Sequence, residues 1–143
     1  MTKVKLAVLV GGTGLVAAGM VLATSGTAIA ATPKVTVTPS TGLTSPASVK
    51  VAVSGFPARD TLAVAECAGS TSSTIFCYVA GAKSVITSST GMGKTTLTVH
   101  RKFVGENAQG VMKTVNCATV SGGCYVGAAD AKGTHAAAKI SFA

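Results

Sequence analysis

Tryptophan is absent from this chain of 143 residues, and only two Tyr and four Phe supply aromatic rings. Any core must therefore be built from Val, Ile, Leu and the few Phe, with modest packing energy, so covalent staples would help. Acids are scarce too: Asp60, Glu66, Glu106 and Asp130 are the whole set, against 12 Lys+Arg. No amphipathic helix of any length appears, nor an internal repeat, a low-complexity linker or an N-x-[ST] acceptor. The apolar share of 48% excludes a disordered chain.

The first thirty residues differ from the rest. Lys3 and Lys5 precede an uncharged, mostly apolar run from Leu6 to Ala23, and Ala28-Ile29-Ala30 forms an A-x-A site before Ala31. A basic start, an apolar middle and small residues at the cut are what a signal peptidase recognises. The alternative is an uncleaved anchor, for which the run is barely long enough at roughly 17 residues or more. Gly11, Gly12, Gly14 and Gly19 loosen it further. The expectation is a helical signal peptide over residues 1–30 and one secreted domain over 31–143. Removing thirty residues leaves 113, with ten Lys+Arg against four acids, a formal +6. No stable membrane association is expected after cleavage, and nothing demands more than a monomer.

From Lys34 onward the pattern is short strands between turns. Val35 and Val37 alternate with Thr36 and Thr38, and Val49, Val51 and Val53 alternate with Lys50, Ala52 and Ser54. Further runs cover 62–67, 76–79, 83–87, 95–103, 111–117, 124–127 and 137–142, of which 95–103 is the longest. Strands about every ten residues, separated by Gly, Ser and Pro, argue an all-β antiparallel sandwich. An up-and-down barrel fits the irregular loop lengths less well.

All four cysteines lie after Ala31, and an even number in an exported protein points to disulfides. Three connectivities are possible. Sequential pairing, Cys67 with Cys77 and Cys117 with Cys124, is the simplest, and each pair brackets a Gly/Ser/Thr-rich loop. Neither spacing is C-x-x-C and neither His lies beside a pair, so no metal site is expected.

The order of motifs is more specific than any one of them. Val35-Thr36-Val37-Thr38-Pro39-Ser40-Thr41-Gly42-Leu43 is followed by Gly55-Phe56, Glu66-Cys67-Ala68 and Cys77. Then come Leu97-Thr98-Val99-His100-Arg101-Lys102-Phe103, Val115-Asn116-Cys117, Gly123-Cys124-Tyr125-Val126-Gly127 and Ala138-Lys139-Ile140-Ser141-Phe142-Ala143. Over essentially the whole of residues 31–143 the chain resembles the neocarzinostatin family of secreted chromoprotein apoproteins. The resemblance implies a seven-stranded immunoglobulin-like sandwich with a small β-hairpin subdomain and the same two local disulfides. It also implies a carrier: the family holds a reactive enediyne chromophore non-covalently in a cleft between barrel and hairpins. The chromophore, once released, damages DNA, an antibacterial role. No other cofactor is implied.

Carried over by position, the cleft would be lined by Gly69, Ile75, Phe76, Tyr78, Ala82, Ala108, Tyr125 and Ala129. Gly69, Ala82 and Ala108 stand where the family pattern offers aromatic rings, and Ala129 replaces a hydroxyl. One stacked ring is worth about 1 kcal/mol beyond its area, so a different or wider ligand space is implied. Charge also departs from the mostly acidic family. Lys83, Lys94, His100, Arg101, Lys102, Lys113, Lys132 and Lys139 could form one basic patch for DNA, cell wall or another anionic polymer. A ligand-free binding module using such a face is the alternative function. The bland reading is a solvated surface, since no dense Lys/Arg cluster carries interleaved aromatics.

Little supports catalysis. No G-x-S-x-G is present, and His100 with Glu66 and a serine is a triad only on paper. Glu66 would either point into the cleft or pair with a lysine. No catalytic residue, and no enzyme, is expected.

Overall fold

The computed structural model describes residues 31–71 and 73–143. The expected signal peptide, its helix and its cleavage site lie outside these residues.

Ten strands follow one another: β1 (Lys34–Thr38), β2 (Ala47–Ser54), β3 (Thr61–Ala68), β4 (Phe76–Cys77), β5 (Lys83–Ile86), β6 (Gly93–Val99), β7 (Lys102–Glu106), β8 (Met112–Asn116), β9 (Cys124–Ala129) and β10 (His135–Ile140). A single 3-10 turn, Val79–Gly81, separates β4 from β5. Strands β1, β2 and β6 make one antiparallel sheet. In the other, β10, β9 and β3 lie side by side. Beyond β3 the edge is shared: β5 pairs with Thr61–Val64, while β4 pairs with Cys67 and Ala68. From β4 the sheet continues through Cys77 opposite Glu106 to the β7–β8 hairpin. Seven strands thus form an immunoglobulin-like sandwich, three facing four, and β4, β7 and β8 are its hairpin appendage.

Period-two alternation puts the apolar residues between the layers. Val35, Val37, Val49, Val51, Val53, Leu97 and Val99 come from the first sheet, and Leu62, Val64, Val85, Val126 and Ile140 from the second. Each such side chain contributes about 1.5–3 kcal/mol on burial, so many small aliphatics do the work of the missing rings. Phe56 and Phe103 are also buried, while Phe76 and Phe142 pack at the margin. Gly93 is required by this packing, because a Cβ there would come within 2.6 Å of Val85 Cγ1.

The run 95–103, expected as one long strand, is two. His100 and Arg101 carry the chain from β6 in the first sheet to β7 in the second. Their N–H groups leave the ladder for side chains: His100 donates to the Glu66 carboxylate at 2.8 Å, and Arg101 to Ser45 Oγ at 2.9 Å. The Arg101 carbonyl accepts the N–H of Cys117 at 2.8 Å. Both N–H groups of the crossing and the Arg101 carbonyl are therefore bonded.

Candidate functional site

On β3 the inward residues are Leu62, Val64, Glu66 and Ala68, so Ala63, Ala65 and Cys67 point out of the sandwich. Register carries this outer face across three strands. Ala63 lies opposite Ala129, Ala65 opposite Gly127, and Cys67 opposite Tyr125. Next on β10 come His135, Ala137 and Lys139, opposite Ala129, Gly127 and Tyr125. The middle of this grid is Ala and Gly, with no side chain longer than a methyl. A sheet surface so trimmed is recessed, and the recess is a cleft of about 460 Å³.

The cleft has one covalent wall. The Cys67–Cys77 disulfide, Val79 and Ala82 rise along one side, and Tyr125 and His135 stand on the other strands. Val79 is 56% exposed at the lip, an apolar group left facing the opening. Apart from backbone, the Tyr125 hydroxyl and the His135 imidazole are the polar groups of the lining. Burial raises the Tyr125 pKa above its ordinary value, so the phenol is neutral and a donor. His135 Nδ1 lies 2.9 Å from the Gly133 carbonyl, which orients its ring. At one end, past Ala63, Ala82 and Ala129, the surface turns polar with Thr61, Ser84, Lys83 and Asp130. The volume and the apolar lining fall in the range of small-molecule sites.

Of the eight residues expected to line a cleft, Ala82, Tyr125 and Ala129 do so. Gly69 and Phe76 border a separate groove, with Phe76 under the Lys113 ammonium at 5.8 Å. Tyr78 packs edge-on against His100, ring centroids 5.3 Å apart, and against Phe103. Strand alternation explains this, since Cys77 takes the cleft face and its two neighbours take the other. Ile75 is half-buried ahead of β4, and Ala108 is exposed at the tip of the β7–β8 hairpin. Ala63, Ala65, Gly127 and Ala137 line the cleft outside that expected set. Their signal was the run of Ala and Gly at outward strand positions, where Thr and Lys occur in β1 and β2.

Glu66 neither enters the cleft nor meets a lysine. Its side chain is buried between the layers at 1% exposure, held by the His100 N–H, with Cys117 Sγ 3.8 Å from Oε1. Burial, partly offset by that hydrogen bond, pushes its pKa up to about 7. His100 Nδ1 lies 3.9 Å from Oε2. No Ser or Thr hydroxyl bonds the ring among the described residues, so the paper triad does not assemble. Glu66, Cys117 and Cys124 cluster closely, yet both sulfurs are joined to each other and offer no thiolate. The lysines considered for a basic patch sit on separate elements: Lys94 is on β6, Lys83 on β5, Lys102 on β7, Lys113 on β8 and Lys139 on β10, while Lys132 is in the β9–β10 turn.

Comparison with known proteins agrees with this architecture. The model of the neocarzinostatin family matches residues 35–143. The structure of macromomycin superposes with a TM-score of 0.70 at 34% identity, covering 78% of this chain and 99% of that one. The solution structure of apokedarcidin does so with 0.62 at 32% identity, covering 80% and 100%. With a family match over nearly all described residues, two relatives matched along their whole length and a cleft beside a disulfide-braced hairpin, this chain belongs to the neocarzinostatin family.

Proposed function

We propose that this protein is a secreted, monomeric carrier that holds a small, flat, apolar chromophore of the enediyne type in the cleft above β3, β9 and β10. The observation that carries this reading is the cleft floor, an Ala/Gly surface with almost no polar group, beside a disulfide wall. Such a surface gains by excluding water from a flat hydrocarbon and offers a reactive guest no free thiol, because all four cysteines are oxidised. The Tyr125 ring supplies one stacking edge, and the polar end near Thr61 and Ser84 suits a ligand with a polar appendage. The protein does no chemistry on its ligand; DNA damage and any antibacterial effect belong to the guest after release.

Two disulfides suit an oxidising compartment, in line with export. The test is solvent extraction of protein recovered from its native secretion, with mass spectrometry of the extract. A stoichiometric aromatic small molecule is the expected result. An empty extract, together with failure of the purified protein to bind a neutral fluorescent naphthalene, would overturn the proposal.

A further inference from the structure

The sheet β1–β2–β6 has a second face, turned to solvent, and its composition is unusual. Its outward positions hold Lys34, Thr36 and Thr38 on β1, Ser48, Lys50, Ala52 and Ser54 on β2, and Lys94, Thr96 and Thr98 on β6. No acid occurs anywhere in these three strands, although the domain has four, and no aromatic does either. A shallow trough of about 560 Å³ runs over Ala52 between Lys50 and Lys94, flanked by Thr36, Thr38 and Thr96.

Register spaces the three lysines evenly along the strand axis, each on a different strand. Lys50 lies level with Thr38 and Thr96; Lys94 is level with Ala52, two residues further along β2; Lys34 is level with Ser54, two further again. One lysine therefore stands at every second residue along the strand axis, a step of about 6.8 Å. Lys50 is on the middle strand, Lys94 on one side of it and Lys34 on the other; Lys50 and Lys94 line the trough, and Lys34 stands beyond it on β1. A phosphodiester-linked three-carbon polyol repeats every six backbone bonds. That is about 7 Å when extended, the reach of two residues of an extended chain. The axial step of the lysines matches that repeat.

We infer that this face docks a linear polyol-phosphate polymer of the kind carried in teichoic-type cell walls, laid along the strand axis, independently of the cleft. The lysines meet successive phosphates, and the Thr and Ser hydroxyls meet the polyol. A single-stranded nucleic acid has a similar backbone repeat, but it is held by aromatic stacking platforms, and this face has none. Duplex DNA is a stiff cylinder that touches a flat sheet only along a narrow line, so its phosphates diverge from the lysine row.

The experiment is binding of purified protein to poly(glycerol phosphate), titrated between about 50 and 200 mM salt. Three neutralised phosphates predict a log–log salt slope of about −2. The variant K34Q/K50Q/K94Q, with three exposed side chains changed, is expected to weaken binding at least about tenfold and to flatten that slope. A second variant, K83Q/K113Q/K132Q, removes the same charge from other strands and is expected to bind within about twofold of the parent. Equal loss in both variants would reduce the effect to net charge and overturn the docking face. So would tighter binding of single-stranded or duplex DNA through the same three lysines, or no binding at the lowest salt. The K34Q/K50Q/K94Q protein should still bind the naphthalene probe, which keeps the failure of this inference distinct from failure of the carrier role.

Discussion

Glu66 and His100 are 34 positions apart in sequence, and the carboxylate of the first accepts the backbone N–H of the second at 2.8 Å and 3.1 Å to its two oxygens. This contact bonds the point where the chain leaves one sheet for the other. It also holds an ionisable group in a place of 1% exposure. Burial favours the neutral acid, which is why the folded pKa rises from 4.5 to about 7.

A pH dependence follows from that shift. Between about 4.5 and 7 the folded state binds a proton that the unfolded state has lost, so stability falls as pH rises through this window and levels off above it. The size is on the order of 3 kcal/mol. Thermal melts from pH 4.5 to 8 are expected to show a declining Tm, and Glu66→Gln should remove the decline while leaving its amide oxygen to accept the His100 N–H. A parent Tm that rises over this range would contradict the assignment.

The two disulfides close short loops, of separation 10 and 7, and the first directly crosses paired strands, Cys67 opposite Cys77. Loop-closure entropy gives about 2.5–3 kcal/mol for each. Cys67→Ser with Cys77→Ser should lose about that much in denaturant melts and weaken probe binding as well, because the pair is also the cleft wall. Cys117→Ser with Cys124→Ser should lose similar stability with a smaller effect on the probe. Equal effects on binding would show that the wall matters only through global stability.

Alternation of Val with Thr, Lys and Ser made the sandwich legible from sequence, since period two survives in β1 and β2 without exception. The same regularity concealed the sheet crossing. Leu97 and Val99 before it and Phe103 and Gly105 after it are all buried odd-numbered residues, so the phase never breaks; only exposed Arg101 marks the passage. Parity could have placed Glu66, which shares the inward set with Leu62, Val64 and Ala68. It could likewise have parted Phe76 and Tyr78 from Cys77. The cleft floor was hard to see for another reason. Ala and Gly carry no chemical signal alone, and their meaning appears only when register sets Ala63, Ala65, Gly127 and Ala129 side by side.

Gly69 offers a sharp contrast with Ala82, another position at which the family resemblance implies a ring. At Gly69 φ is +119°, and a Cβ would sit 2.2 Å from the Thr74 carbonyl oxygen. An aromatic there must break the 69–74 loop, so Gly69→Trp should cost about 2 kcal/mol or more. Ala82 has extended backbone and an exposed side chain beside the cleft. Ala82→Phe should keep Tm within about two degrees and tighten the naphthalene probe by about fivefold, the value of one added ring contact. Tighter binding by Gly69→Trp with Tm unchanged would reverse this assignment.

The floor itself can be filled to test where the guest lies. Ala65 is half-buried opposite Gly127, its methyl facing the centre of the cleft. A phenyl ring at 65 would project into empty volume rather than into the packed interior, so folding should survive Ala65→Phe. The ring would occupy much of the space now open, and the probe should lose at least about tenfold in affinity, or 1.4 kcal/mol. Tyr125→Ala, which widens the same space but removes a stacking edge, should lose about fivefold. Isothermal titration with both variants, alongside circular dichroism to verify the fold, separates the possibilities. Unchanged affinity in folded Ala65→Phe would place the apolar guest elsewhere, and the groove between Phe76 and Lys113 would then be the surface to probe.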